Sequence, residues 1–149
     1  MRDVNSTTST TMSATRIPIR TERAPLPPPF LSQGLIVGDV VYCSGQVGAD
    51  STGKLVDGSI QDRTAQRQIL RNLNAVLEAG GSSLHNAIKV NIFLTDMADF
   101  PAVNEVYTQF FVDPKPVRTC VCVKSLPLGT DVEIECSGLK SGNNRSSRL

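Results

Sequence analysis

The stretch LIVGDVVYC, residues 35–43, contains two short apolar segments separated by a turn signal. Residues 35–37 and 40–43 are rich in β-branched side chains, which favour strands. Gly38-Asp39 lies between them, and glycine accepts the positive φ that a two-residue hairpin turn requires. The sequence therefore predicts a β-hairpin here, with Ser44-Gly45-Gln46 at the end of its second strand.

Upstream of this hairpin the chain is expected to be extended. Residues 16–21 alternate apolar and polar side chains, which predicts an edge strand because Pro18 cannot donate a ladder hydrogen bond. Residues 24–29 contain four prolines and should run extended and stiff. Residues 1–23 as a whole are expected to form a flexible extension, since residues 5–11 offer little apolar surface to bury.

Two helices and three more strands are predicted downstream. The first helix should begin near Ser59, where Ser59 and Asp62 have capping-box spacing, and should end at Gly80-Gly81. The second should span residues 99–111, with an aspartate at its N-cap and proline in its first turn. Alternating or apolar β-branched patterns predict the three strands, at residues 88–94, 117–123 and 130–137.

This order of elements is typical of an α+β domain, which we place at residues 24–139. Two helices on one face of a mixed sheet give the simplest packing. The other sheet face would be bare, and a chain of 149 residues needs a partner to cover such a face. Homo-oligomerisation is therefore expected, and residues 140–149 are expected to form a flexible tail.

The distribution of charge disfavours nucleic-acid binding. The formal net charge is +1, but residues 24–139 hold 8 basic and 12 acidic residues, a net of −4. An acidic domain repels phosphate, whose counterion release supplies most non-specific nucleic-acid affinity. No apolar run reaches the roughly 20 residues of a membrane-spanning helix, so a membrane is not an expected partner either.

The cysteines and the histidine suggest neither a disulfide framework nor a metal site. The four cysteines are Cys43, Cys120, Cys122 and Cys136, with no CxxC pair among them. The sole histidine, His85, lies in a turn-like stretch, so no four-ligand zinc set is visible and no metal is expected. Reduced, buried thiols in the cytoplasm are expected. The alternative is a mitochondrial location, because residues 1–23 faintly resemble a presequence.

An arginine inside an otherwise apolar strand is the candidate binding residue. Arg118 alternates with valine and threonine side chains, and its charge is costly to bury without a partner. If its strand pairs with the last strand, as the short connection between them suggests, Glu133 or Glu135 can form a structural ion pair with it. Alternatively, the guanidinium clamps a substrate carboxylate while a nearby glutamate transfers protons. Spacing alone leaves both interpretations open.

Six short segments of the predicted domain form a recognisable set. They are Cys43-Ser44-Gly45-Gln46, the stretch from Asn72-Leu73 to Gly80-Gly81, Lys89-Val90, Asp99-Phe100 with residues 103–107, residues 116–120, and residues 132–135. On these segments the chain resembles the RidA/YjgF/L-PSP family of small reactive-intermediate deaminases. One segment would be a weak match, but six in the right order make coincidence improbable.

The resemblance implies a chorismate-mutase-like homotrimer with sites between subunits. It implies hydrolysis of 2-enamino and 2-imino acids, such as 2-aminoacrylate and 2-iminobutanoate, to 2-oxo acids and ammonia without a metal or organic cofactor. It also implies that Arg118 binds the substrate carboxylate, that Glu133 positions water, and that the Gly45 backbone N–H meets the carboxylate. The remaining substrate-binding positions that it implies are Leu31, Ser44, Asn104 and Cys120.

The chain departs from the family pattern at Leu31. Active members usually carry Gly-Pro-Tyr-Ser-Gln where this chain has Pro29-Phe30-Leu31-Ser32-Gln33. The missing hydroxyl favours a second interpretation, a non-catalytic trimer that binds small carboxylates or acts as a regulator or holdase. A third, the ribonuclease role attached to some relatives, is disfavoured by the acidic domain.

Overall fold

A computed structural model describes residues 15–58, 60 and 63–142 of the chain. These residues form one mixed sheet in the order β1-β2-β3-β6-β4-β5, together with two α-helices. The strands are β1 (Arg16–Ile19), β2 (Gly34–Val37), β3 (Val40–Cys43), β4 (Ala87–Leu94), β5 (Val117–Cys122) and β6 (Val132–Leu139), and the helices are α1 (Thr64–Ala79) and α2 (Phe100–Phe110). The predicted α+β class is confirmed, and in the described ranges no helix is long and apolar enough to cross a membrane.

The predicted hairpin forms as the sequence indicates. Val37 pairs with Val40 across the turn, and Gly38 adopts a φ of 58°, which a side chain would disfavour. β1 pairs antiparallel with β2 and forms one edge of the sheet, with Pro18 opposite Leu35. Part of the segment assigned to the N-terminal extension thus belongs to the sheet.

The helices differ from the prediction at their N-termini. α1 begins at Thr64, because Arg63 before it has a left-handed φ of 63°; the expected cap at Ser59 and Asp62 lies outside the described residues. The predicted C-terminus is confirmed at Gly80-Gly81. A Cβ on Gly80 would lie 2.7 Å from the Ile19 side chain, so glycine lets the helix end pack closely on the sheet.

One face of the sheet carries the hydrophobic core. The apolar stripe of α1 is buried, and it consists of Ile69, Leu70, Leu73, Val76 and Leu77. Alternate residues of the central strands meet it, among them Val41, Val90, Ile92 and Ile134, each at most 1% exposed. Burying a side chain of this size stabilises the fold by about 1.5–3 kcal/mol, so this layer fixes how the helices sit on the sheet.

The opposite face of the sheet is open. None of its described side chains is buried, and Tyr42, Val117 and Val121 are among its exposed apolar residues. Its polar residues include Lys89, Asn91, Glu133 and Glu135. A sheet face of this kind is a surface that a protein–protein contact would cover.

The predicted pairing of the strand bearing Arg118 with the last strand is wrong. β4 lies between β5 and β6, pairing with β5 in parallel and with β6 antiparallel. The physical reason is that α2 carries the chain from β4 back to the same end of the sheet, as a parallel crossover requires. β5 therefore occupies the edge beside β4, and the other side of β4 is taken by β6.

A buried amide holds the proline-rich segment in place. Gln33 is 1% exposed, and its side-chain oxygen accepts a hydrogen bond from Thr21 N at 2.8 Å. Its side-chain nitrogen lies within hydrogen-bond distance of the carbonyl oxygens of Thr21, Ala24 and Pro25, at 3.1, 3.3 and 2.9 Å. One side chain therefore satisfies the backbone where the chain leaves β1 and enters residues 25–31.

Replacing Gln33 with leucine should destabilise the protein by about 2 kcal/mol or more, because buried backbone groups lose their partner. Urea unfolding at a fixed protein concentration measures this loss. Gln109→Leu, at an exposed position of α2, is the control and should change stability by less than about 0.5 kcal/mol. Equal losses for the two variants would show that the Gln33 hydrogen bonds do not anchor the segment.

Candidate functional site

The predicted site residues fall into two groups on one chain. Arg118, Asn104 and Cys120 lie on the helix-covered side of the sheet, where β5 meets α2. The other four line a cleft at the far end of the hairpin; they are Leu31, Ser44, Gly45 and Glu133. Each group has its own geometry.

The guanidinium of Arg118 is fixed without an ion pair. Its Nη1 donates a hydrogen bond to Asn104 Oδ1 at 2.6 Å. Its central carbon lies 4.7 Å from the ring centroid of Tyr107 and 5.4 Å from that of Phe100, within cation–π range. No acidic residue of the described chain forms a salt bridge with it, so the remaining N–H donors are available to bind a carboxylate at two points.

Phe100 and Tyr107 were not predicted as site residues. The spacing of Phe100, Asn104 and Tyr107 places all three on one face of α2. Helical spacing by itself assigns the two aromatic residues to the buried face of α2, whereas here their rings also orient Arg118. Their spacing with Asn104 was the signal that could have identified them.

The groups around Arg118 are held in their neutral forms. Burial raises the pKa of the Cys120 thiol and that of Tyr107, although the positive charge of Arg118 acts against both shifts. The Tyr107 hydroxyl is buried and has no hydrogen-bond partner within the described ranges. A neutral thiol is a poor nucleophile, so Cys120 suits contact with a ligand better than covalent catalysis.

The second group lines a cleft of about 720 Å³. The wall is apolar and includes Leu26, Phe30, Leu31 and Leu128, all exposed. The floor is the end of β3, where Ser44 Oγ donates to the carbonyl oxygen of Ser32 at 2.6 Å. Ser44 thus ties the hairpin to the proline-rich wall.

Glu133 lies directly on the backbone of Gly45. A Cβ on Gly45 would lie 1.9 Å from Glu133 Oε1, so with any other residue the carboxyl group would have to move. Burial raises the pKa of Glu133, and repulsion from Glu135 raises it further. A carboxyl group with a raised pKa exchanges protons more readily near neutral pH, as general acid–base chemistry requires.

One chain does not bring Arg118 and Glu133 together. Arg118 of β5 pairs with Val90 of β4, and Val90 pairs in turn with Cys136 of β6. Residues that pair across neighbouring strands point to the same face of the sheet, so Arg118 lies on the face of the buried Val90 and Cys136. Glu133 is displaced from Cys136 by an odd number of residues along β6, which turns it to the open face. An ion pair between Arg118 and Glu133 within a chain is therefore excluded.

The thiols and the histidine form no metal site. In the described part of the chain, no group of three or more His, Cys, Asp or Glu residues could hold a metal ion. Cys43 and Cys136 are buried and free, but Cys122 is exposed at the end of the edge strand, contrary to expectation. His85 is exposed on a short 3-10 turn.

The chain is similar to known proteins in sequence and in structure. Residues 21–139 match the family model described as Endoribonuclease L-PSP. Protein mmf1, mitochondrial, of Schizosaccharomyces pombe is 46% identical over 85% of this chain and 78% of that protein. A 2-iminobutanoate/2-iminopropanoate deaminase of Dermatophagoides farinae is 44% identical over 83% of this chain and 95% of that protein. The crystal structure of E. coli TdcF with bound serine superposes with a TM-score of 0.75 at 35% identity, covering 84% of this chain and 99% of that one.

Glu135→Gln should lower the pKa of Glu133, because it removes a negative charge that disfavours the Glu133 carboxylate. Glu133 would then stay ionised to a lower pH than in the wild type. An NMR titration of the Glu133 side-chain carboxyl carbon measures the change. Asp131→Asn is the control, since Asp131 does not contribute to the shift, and a pKa that Glu135→Gln leaves unchanged would contradict the prediction.

Proposed function

This chain belongs to the endoribonuclease L-PSP family, also called RidA/YjgF, and we propose that it hydrolyses 2-imino and 2-enamino acids to 2-oxo acids and ammonia. The relative named as an imine deaminase, at 44% identity over most of both chains, supports this reaction. The observation that carries the proposal is the Arg118 guanidinium, which is positioned by Asn104 and two rings and has no acidic partner in the described chain.

Arg118 would bind the substrate. A 2-imino acid carries a carboxylate next to its electrophilic C=N carbon, and a planar guanidinium binds a carboxylate at two points. Because Asn104 and the rings of Phe100 and Tyr107 restrict Arg118, the bound imine carbon is held in one place. Cys120, on the same face two residues along β5, would contact the substrate as a neutral thiol.

Glu133 would move the protons. As water attacks the imine carbon, Glu133 accepts a proton from the water, the C=N π electrons move to nitrogen, and nitrogen is protonated. In the resulting carbinolamine, loss of the hydroxyl proton forms C=O, the C–N bond breaks with its electron pair on nitrogen, and ammonia leaves. The Glu133 carboxyl relays one proton in each step and is regenerated. Its raised pKa suits both directions of transfer.

The two groups would meet between subunits of a homotrimer. Because Arg118 and Glu133 lie on opposite faces of one sheet, a site that uses both needs a second copy of the chain. The open face, with exposed Tyr42, Val117 and Val121, supplies a surface for that contact. The Gly45 backbone and the cleft wall at Leu31 would then complete the pocket beside Glu133.

A mitochondrial location is proposed in place of the cytoplasm. The S. pombe relative at 46% identity is named as mitochondrial. The presequence-like composition of residues 1–23 agrees with that name.

One observation favours a second function, a trimer that binds small carboxylates without turnover. Leu31 occupies the position of the family tyrosine, and its exposed side chain offers no hydrogen bond to water or to the imine nitrogen. Ribonuclease activity, which the name of the family model suggests, is disfavoured by the net charge of −4 over residues 24–139.

Arg118→Lys should lower turnover of 2-iminobutanoate at least roughly ten- to a hundredfold, since lysine keeps the charge but not the two-point fork. An amino-acid dehydratase that generates the imine in place, coupled to ammonia detection, measures the rate. Arg67→Lys, on α1 and outside both groups of candidate site residues, is the control and should retain wild-type activity. Wild-type turnover by Arg118→Lys would show that Arg118 does not clamp the substrate.

Leu31→Tyr should raise kcat/KM for 2-iminobutanoate roughly fivefold, because a hydrogen bond worth about 1 kcal/mol is restored. The measurement compares imines derived from threonine, leucine and phenylalanine. Phe30→Tyr adds the same hydroxyl one residue away and should have no such effect. A loss on all three imines, with the wild type preferring the larger ones, would instead identify Leu31 as a specificity residue.

A further inference from the structure

A row of side-chain contacts between α1 and α2 stops before the end of α1. Arg63 Nε donates to Glu105 Oε2 at 2.7 Å, and one turn later Arg67 Nη2 donates to Gln109 Oε1 at 3.2 Å. Arg71 follows one turn further on, but α2 ends one residue after Gln109. Within the described chain, no hydrogen bond or ion pair joins Arg71 to another residue.

The shorter second helix leaves a groove beside Arg71. The groove has a volume of about 620 Å³, within the range of small-molecule sites. Apolar side chains line part of it, namely the buried Ala75 and Leu84 and the half-buried Phe110. Arg71 and the exposed His85 line it as well, so cationic and hydrogen-bonding groups stand beside an apolar surface.

The one acidic residue among those that line the groove is already neutralised. Glu78 Oε2 accepts from Arg23 Nη1 at 2.7 Å, and Glu78 Oε1 accepts from Asn74 Nδ2 at 2.7 Å. The hydrogen bond from Arg23 holds the pKa of Glu78 below its ordinary value. The positive charge of Arg71 therefore remains uncompensated at the groove wall.

We propose that this groove binds a small monocarboxylic acid with an apolar body. A single uncompensated guanidinium matches one negative charge, and no second uncompensated arginine or lysine stands among the described residues that line the groove. The side chains of Ala75, Leu84 and Phe110 would bury the apolar body of the ligand. The groove lies on the outer face of the helices, so contacts on the open sheet face leave it accessible.

The test uses the full-length, ¹⁵N-labelled protein titrated with 3-phenylpropanoate. The amides of Arg71, Ala75, Leu84, His85 and Phe110 should shift together and saturate. Arg71→Gln should weaken this binding at least about tenfold, the expected loss for one charged hydrogen bond. Arg67→Gln, whose guanidinium already contacts Gln109, is the matched control and should change the affinity less than twofold.

Matched ligands separate the two parts of the groove. The neutral 3-phenylpropanamide tests the charge and acetate tests the apolar surface, and both should bind at least about tenfold more weakly. Absence of saturable shifts around the groove would overturn the proposal, as would equal affinities of the wild type and Arg71→Gln.

This proposal stands apart from the deaminase activity. If the ligand also shifts amide signals around Arg118, the Arg118→Lys variant separates the two sites. Loss of those shifts in this variant, with the shifts around the groove retained, would show that the two sites bind the ligand independently. A protein that binds 3-phenylpropanoate in the groove but does not turn over imines would contradict the proposed function alone.

Discussion

β5 pairs in parallel with β4, because α2 returns the chain to the end of the sheet where β4 began. The pairing leaves β5 at an edge and puts β4 between β5 and β6. Side chains alternate along each strand, so Arg118 points toward α2 and Glu133 toward the open face. The crossover thus separates the two groups on which the proposed chemistry depends, so a site that uses both would require a second subunit.

Each half of the site is prepared by local packing. On the helix side, Asn104, Phe100 and Tyr107 restrict Arg118 without neutralising it, which leaves its charge for a ligand. On the open side, the bare backbone of Gly45 lets Glu133 lie flat in the cleft, where burial and Glu135 raise its pKa. A fixed cation and a proton-exchanging carboxyl are the two groups that imine hydrolysis needs.

Local signals predicted much of the fold, whereas long-range order was not predictable in the same way. Gly38 marks the hairpin and Gly80 ends α1 because each position needs a residue without a side chain, which is visible in the sequence. The neighbours of β5 are set by the crossover through α2, and the short connection to β6 suggested the wrong pairing. Gln33 gave no signal either, since its four contacts lie in an irregular segment. The residues of the candidate site stay predictions from the family resemblance, and their division between two faces of the sheet had no signal in the sequence.

Complementation between two impaired variants tests the shared site most directly. Arg118→Lys and Glu133→Gln should each lose most of their activity alone, by at least roughly ten- to a hundredfold for Arg118→Lys. Mixed trimers, isolated after co-expression of differently tagged chains, should regain activity at about a third of their sites, because one of the three interfaces in each mixed trimer combines both native residues. Mixed oligomers of the Arg118→Lys chain and an Arg118→Lys/Glu133→Gln chain should regain no activity, because neither chain carries the native Arg118. Mixed oligomers of the two single variants that stay as impaired as either variant alone would contradict a site built from two chains.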